Sequence, residues 1–484
     1  MIRSYERKNV FFIQILGGDE EIPDIHFKKH YRLHIPVVPD SLDRYRHIVR
    51  VSGITNVAVF GADGVCTFNE EIMGDECAKA IDAALAAARG PNRKAEAFID
   101  CATVYPPAVK AEGKFVHERM PSIAAGPDGE MHLAITTDEK GSNDVFLRTR
   151  SRGAWKKPVA VAATKADEYA PSVVAVGKGQ ALVAYVSNEK GLFDIHAALV
   201  KDGKVAKRWQ VTRSSDDAMA PKLCVGEKGD PWLTWYEWAK MANLSRDREV
   251  LVSALRSGSW TKPVQVSPRE VPTYEDHADP VVASDGKGGV WVAWAWDYHG
   301  TLQKKVPVGE NSIFARHVGQ NFDLGEILAV GFRGEGRARD YAPAIAVAKD
   351  GTPWVAWDNS HKASLGPSAK AVFVNHLAGA DFGEQAEAAA NNGTIDSPRL
   401  IVAPKGGLHG LWCQEARDGW EILVKPVGAA SPGEARRLPI EGKRPRHAVA
   451  AFDSGGKLWF AYTDAVAPAW VVRVETLEGG ASGS

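Results

Sequence analysis

From residue 119 onward, short apolar runs alternate with polar positions at a period of two, and the runs come in pairs. The pairs read PSIAAGPDGEMHLAIT (121–136), PSVVAVGKGQALVAYV (171–186), PKLCVGEKGDPWLTWY (221–236), PVVASDGKGGVWVAWAW (280–296), PAIAVAKDGTPWVAW (343–357), PRLIVAPKGGLHGLW (398–412) and AVAAFDSGGKLWFAY (448–462). Each is an apolar run, a glycine-bearing turn and a second apolar run, which predicts a β-hairpin. The hairpins start 50 to 63 residues apart. A third apolar run follows each hairpin, at 145–150, 194–199, 250–256, 312–317, 371–376, 421–427 and 470–476, and usually a fourth.

Four antiparallel strands recurring at a period near fifty residues are the pattern of a β-propeller blade. The fold class expected is therefore mostly β: a seven-bladed propeller over 105–484, with blades starting near 119, 169, 219, 278, 341, 396 and 447. A β-sandwich or an open solenoid is the competing architecture. The last unit has three strands and then only LEGGASGS, so its fourth strand is expected from 109–117, which would close the ring and leave no sheet edge.

The first hundred residues follow another pattern. Apolar runs at 10–16 and 35–38 read as buried strands, and 57–60 and 65–68 flank the turn Gly61-Ala-Asp-Gly64 as a hairpin. Ala78, Ile81, Leu85 and Ala88 share one helical face within 75–88, and Gly90-Pro91 ends that helix. This order predicts a small α/β domain over 1–104. The series from VFFIQILGGDEE through ECAKAIDAALAAA resembles the thioredoxin-like fold. That family's CxxC would precede Met1 and is absent, and Asn56 stands where the family has its cis-proline. The central strand must then be supplied by another segment, with 95–101 the candidate. Thiol oxidoreductase activity is not expected, and Cys66 and Cys77 read as packed thiols.

Charge narrows the partners. With 59 Lys+Arg against 60 Asp+Glu the net charge is −1, so no cationic excess exists to neutralise nucleic-acid phosphates or an anionic membrane surface. The five cysteines (Cys66, Cys77, Cys101, Cys224, Cys413) are scattered, which predicts neither a zinc site nor a disulfide framework, and no cofactor is implied. No apolar run reaches the roughly 20 residues that span a bilayer. Arg3, Arg7 and Lys8 precede a short apolar stretch that contains Gln14 and runs into acidic residues, so no export signal is expected in this chain. A signal encoded further upstream would instead make this an extracytoplasmic, envelope protein.

Strand direction locates the candidate site. The segment leading into each first strand and the segment leaving each second strand lie on the same face of the ring. Leading in are Arg119, Tyr169, Asp276, His277, Asp340, Tyr341, Asp396, Arg446 and His447; leaving are Glu237, Trp238, Trp296, Asp297, His299 and Asp358. Segments 238–249 and 297–311 read as long loops on that face, whereas the opposite turns are short. Long polar and aromatic loops on a rigid scaffold are where binding is expected. Trp235, Trp294, Trp357 and Trp412 recur at one strand position and are expected in the core. Trp238, Trp296 and Trp420 fall outside that register and are candidates for stacking on a ligand.

Arg119-Met-Pro121 resembles the Arg-Ile-Pro that opens the first blade of sialidases, and SRGAWKKP (151–158) and RSGSWTKP (256–263) are similar to decayed copies of their Asp-box. The resemblance implies an enzyme with an arginine cluster and a tyrosine nucleophile, for which Arg119 and Tyr341 fit. The other arginines cannot be assigned by motif, and no glutamate pairs clearly with Tyr341. With no complete catalytic motif, the sequence favours a non-catalytic binding or scaffold protein holding a carbohydrate, a peptide or a protein in the propeller funnel. The alternative is a carbohydrate-active enzyme, a sialidase-like hydrolase or a polysaccharide lyase, with His277, Asp340 and Tyr341 as its catalytic groups.

Overall fold

The computed structural model describes residues 118–477 apart from loop segments, the longest of which are 269–275, 298–311, 332–339 and 360–369, together with four short strands before residue 118. Contacts divide the chain into two units, Met1–Lys114 and Phe115–Ser484. In the first unit, Gln14–Gly17 pairs in parallel with Val37–Asp40, and Val57–Phe60 forms an antiparallel hairpin with Cys66–Glu70. The hairpin lies where the glycine turn predicts it. The expected helix at 75–88, the candidate strand at 95–101 and the closing segment 109–117 fall outside the described residues, and the thioredoxin-like resemblance is not supported by the four strands that are described.

In the second unit every repeat is one antiparallel sheet. The first strands are Glu118–Ala125, Glu168–Gly177, Ala218–Val225, Asp276–Ser284, Asp340–Val347, Ile395–Val402 and Pro445–Phe452, and they open blades 1 to 7 in that order. Each first strand touches the first strands of the preceding and following blades, and that of blade 7 touches that of blade 1. The second unit is a closed seven-bladed β-propeller. Blade 7 contributes Pro445–Phe452, Leu458–Val466 and Ala469–Leu477, three strands among the described residues.

Why these sequences close into a ring is visible in the core. Seven apolar clusters occur among the described residues, and each joins two consecutive blades. The last of them packs Leu133 and Ile135 of blade 1 on Ala461 and Val472 of blade 7. Because side chains alternate across a strand, one set of second-strand residues faces the preceding blade and the other the following blade. Ile135, Tyr185, Trp235, Trp294, Trp357, Trp412 and Tyr462 hold the same register position, and all seven face the preceding blade. An aromatic ring fills six of the seven wedge-shaped gaps at this position, and Ile135 fills the one between blades 7 and 1.

Turn chemistry sets the short face. Asp285 Oδ1 accepts from the amides of Lys287 (2.7 Å) and Gly289 (2.9 Å), and Asp453 Oδ1 accepts from those of Gly455 (2.9 Å) and Lys457 (3.0 Å). These side chains satisfy the turn amides locally, which keeps the hairpins tight. Between third and fourth strands, Arg152-Gly153, Asp202-Gly203 and Ser257-Gly258 all have positive φ, the geometry of two-residue hairpin turns. The two Asp-box-like segments are therefore built as simple tight turns.

Every first strand carries a β-bulge at one register position, between the pairs Arg119/Ser122, Tyr169/Ser172, Met219/Lys222, Ala278/Val281, Tyr341/Ala344, Asp396/Arg399 and Arg446/Val449. Within it Met120, Ala170, Ala220, Asp279, Ala342 and His447 take φ of 47–54°. A strained residue at a single place often marks a site, but repetition around the ring makes this bulge architectural: it re-aims the residues that enter each blade.

Carboxylates tie neighbouring blades together on the same face. Asp167 Oδ1 accepts from the Asn143 amide (3.2 Å), Asp217 Oδ1 from the Phe193 amide (2.8 Å) and Glu118 Oε2 from the Val472 amide (3.3 Å). Replacing buried Asp217 with Ala strips the Phe193 amide of its acceptor. The expected cost is about 1–3 kcal/mol in a denaturant titration, and a change within error would show that solvent substitutes for the carboxylate.

Candidate functional site

The residues expected to bind lie at the strand ends of one face, and they divide into groups packed within the blades and groups presented at the surface. Arg119 donates to Asn143 Oδ1, and Asn143 in turn donates from Nδ2 to Asp167 Oδ1 at 3.0 Å. Tyr169 is buried, donates from its hydroxyl to Met219 Sδ (3.3 Å) and sets its ring edge-on to Phe193.

His277 is 1% exposed. Its Nδ1 accepts from Trp294 Nε1 at 3.1 Å, and its ring lies 4.8 Å from that of Trp296. An imidazole that accepts at Nδ1 carries its proton on Nε2. Trp296 is likewise 1% exposed, packed against both His277 and Phe314 (centroids 4.7 Å apart). It is a core residue, which removes it as a stacking platform; it follows Trp294 by two positions and so points to the same wedge.

Asp340 is buried and accepts from Asn359 Nδ2 at 2.6 Å. Asp358 is buried on the neighbouring strand, opposite Tyr341 in the register. Asp276 pairs with Asp297 and Asp396 with Cys413, which puts these residues at the strand ends on the binding face. The side chains of Asp276, Asp297, Tyr341 and Asp396, and the whole of His299, lie outside the described residues. Arg446 is buried with its guanidinium 3.3 Å from the centre of the Trp420 ring, a cation–π contact. His447, half-buried, occupies the bulge position of blade 7.

The most distinctive surface feature is on blade 3. Segment 238–249, expected as a loop, instead prolongs the hairpin: the second strand runs Pro231–Lys240 and the third Arg246–Arg256, with Trp238 opposite Arg248 and Glu237 opposite Glu249. Arg248 lies over two rings, 5.1 Å from that of Tyr236 and 5.4 Å from that of Trp238. Trp238 is half-buried and packs on the apolar cluster shared with Tyr169, Met219 and Met120. Glu237 accepts from Trp235 Nε1 at 2.9 Å. Burial pushes the Glu237 carboxyl above its ordinary value, against the hydrogen bonds from Trp235 and Ser214 that pull it down. Sequence reasoning missed Arg248, because 246–249 are all charged and carry no apolar alternation to mark a strand; its place opposite Trp238 follows only from the pairing of the two strands.

Among the described residues no group of three His, Cys, Asp or Glu side chains is arranged to hold a metal ion. Nor is any described helix long and apolar enough to cross a membrane. Cys224 carries a thiol outside any disulfide, and burial pushes it well up.

No protein-family profile matches the sequence, and no curated protein matches it. Solved structures do share the fold. The polysaccharide lyase Uly1 superposes with a TM-score of 0.50 at 9% identity, over 75% of this chain and 90% of the lyase. A PL25 ulvan lyase superposes at 0.51 and 9% identity, over 75% of this chain and 94% of the lyase. At that identity the likeness is one of fold. Hadza microbial sialidase Hz136 matches more loosely, with a TM-score of 0.40 and 14% identity over 62% of this chain and 67% of the sialidase.

Proposed function

We propose that the propeller is a non-catalytic carbohydrate-binding module, with its site on the face where the first strands begin and the blade 3 hairpin as its platform. The observation that carries this reading is the group Glu237, Trp238 and Arg248 on that hairpin. Indole rings stack on sugar faces, while carboxylate and guanidinium groups bond to hydroxyls. The histidine and aspartate that sequence reasoning offered as catalytic each carry a hydrogen bond within their own blade: His277 accepts from Trp294, and Asp340 accepts from Asn359. A saccharide ligand is in keeping with the polysaccharide lyases that share the fold.

The test is a glycan array with the full chain, followed by affinity measurements on the best binder. Trp238→Ala is expected to weaken binding by about 2 kcal/mol, roughly thirtyfold, in a protein that still folds but melts at a lower temperature, because the indole also packs on the core of blades 2 and 3. Retained affinity in a folded Trp238→Ala protein would remove the hairpin from the site.

One observation favours a second reading, a carbohydrate-active enzyme. A carboxyl that keeps its proton to higher pH than usual, as burial makes Glu237 do, is suited to general acid catalysis. Reducing-sugar and unsaturated-uronate assays on the bound glycan are expected to show no turnover. Turnover that is lost in Glu237→Gln, with folding and binding intact, would replace the binding reading by the enzymatic one. Loss in Tyr341→Phe or His277→Ala would do the same for those residues.

A further inference from the structure

Near its start, each second strand carries a large side chain at one register position. It is Leu182, Trp232, Trp291, Trp354 and Trp459 in blades 2, 3, 4, 5 and 7. Blade 1 has His132 there and blade 6 has His409. Two residues earlier stand Glu130 in blade 1 and Gly407 in blade 6, so at this spacing a carboxylate accompanies only the first of the two histidines.

His132 is 1% exposed, and Glu130 is buried beside it. The Nδ1 of the ring lies 3.1 Å from Thr149 Oγ1 on the third strand, and Nε2 has no hydrogen-bond partner among the described residues. Glu130 Oε2 stands 4.0 Å from Nε2, too far for a hydrogen bond. That same oxygen accepts from the Gly179 amide at 2.8 Å, in the turn between the first two strands of blade 2. A Cβ at Gly126 would fall 3.2 Å from His132 Nε2 and 3.5 Å from Ala175 Cβ of blade 2, so the ring edge is closely packed at the seam between the two blades.

A neutral imidazole is satisfied at Nδ1 by the Thr149 hydroxyl, which can donate or accept. An imidazolium donates from both nitrogens. Thr149 can accept from Nδ1, but Nε2 then holds a buried, charged N–H that needs an acceptor of its own. Glu130 and Lys156 are the charged groups that act on His132 among the described residues, and only Glu130 can accept. Burial holds the imidazole below its ordinary value of about 6.5, with Glu130 opposing that shift and Lys156 adding to it.

We infer that His132 and Glu130 form an acid-operated latch on the seam between blades 1 and 2. When the imidazole takes a second proton from solvent, Glu130 swings to its Nε2–H and leaves the Gly179 amide without an acceptor. While the imidazole is neutral, the carboxylate holds the turn of blade 2. The latch lies on the short-turn face and is independent of the carbohydrate reading. Its sign follows from the depressed histidine: the stability carried by neutral His132 is present above about pH 6.5 and is lost as pH falls below it.

The experiment is amide hydrogen exchange, read by mass spectrometry, on the full chain and on His132→Gln at about pH 7.5 and about pH 5.5. Rates are corrected for the intrinsic effect of pH, and thermal midpoints are taken under the same conditions. Peptides that contain Gly179 are expected to exchange about fivefold faster at the lower pH in the wild type, and to lose that acceleration in His132→Gln. The wild-type midpoint is expected to fall further on acidification than that of the variant. His196 and His409 are also held below their ordinary value by burial, but both proteins contain them, so the difference isolates His132. Glu130→Gln keeps an amide oxygen for Gly179 and removes the charge that draws the side chain to the imidazolium. Gly179 is expected to stay protected at both pH values in that variant, which decides the matter if His132→Gln fails to fold. Equal acid acceleration in the wild type and His132→Gln, or a Glu130→Gln protein that still releases Gly179 in acid, would overturn the proposal.

Discussion

Trp294→Ala is expected to destabilise the propeller by about 3–5 kcal/mol, the range for deleting a large buried side chain. The indole is fully buried between blades 3 and 4, among Val250, Val252, Val292 and Phe314, where no loop can collapse into the space it leaves. The substitution also takes from His277 Nδ1 the donor that Trp294 Nε1 provides. Trp294→Phe separates the two contributions: it keeps a ring in the wedge and loses the N–H, and about 1–3 kcal/mol is expected for the missing hydrogen bond. Urea titration followed by circular dichroism measures both. A loss below about 1 kcal/mol for the alanine variant would mean that the wedge repacks and that the Trp register is not what spaces the blades. The comparison also bears on His277, because a histidine whose Nδ1 is held by a core tryptophan is a structural residue.

Gly331→Val is expected to cost about 3 kcal/mol, at the upper end of the usual range for overpacking. Gly331 ends the fourth strand of blade 4, Leu324–Gly331, where the ring of Trp357 in blade 5 passes beneath it. A Cβ at this position would fall 2.7 Å from Trp357 Cε2 and 3.0 Å from Cη2. The indole cannot retreat, because it is fully buried and stacked on Phe373 with centroids 5.9 Å apart. Pairing Gly331→Val with Trp357→Leu should recover part of the loss, a coupling that a double-mutant cycle reads directly. Additive losses in the cycle would place the cause in the strand backbone.

The candidate site was less legible than the fold. Polar residues at the ends of first and second strands were correctly placed on one face by strand direction, which is a matter of counting. Which of them are buried was not. Trp296 and Trp238 occupy related places in blades 4 and 3, both on second strands beside an acidic residue, yet one is 1% exposed and the other half-buried. The difference arises because Trp296 meets His277 and Phe314, whereas Trp238 stands on a hairpin that extends beyond its neighbours.

What the sequence determined by itself was the repeating unit, because a hairpin needs only period-two alternation and a glycine turn, both local. It also determined the number of units and the tryptophan register, since these recur at a countable spacing. Closure of the ring, the sharing of each core between two blades and the carboxylate ties were decided by tertiary structure alone. Each depends on which residues from separate blades meet once the wedges are packed, and on how much water that packing leaves around a charge.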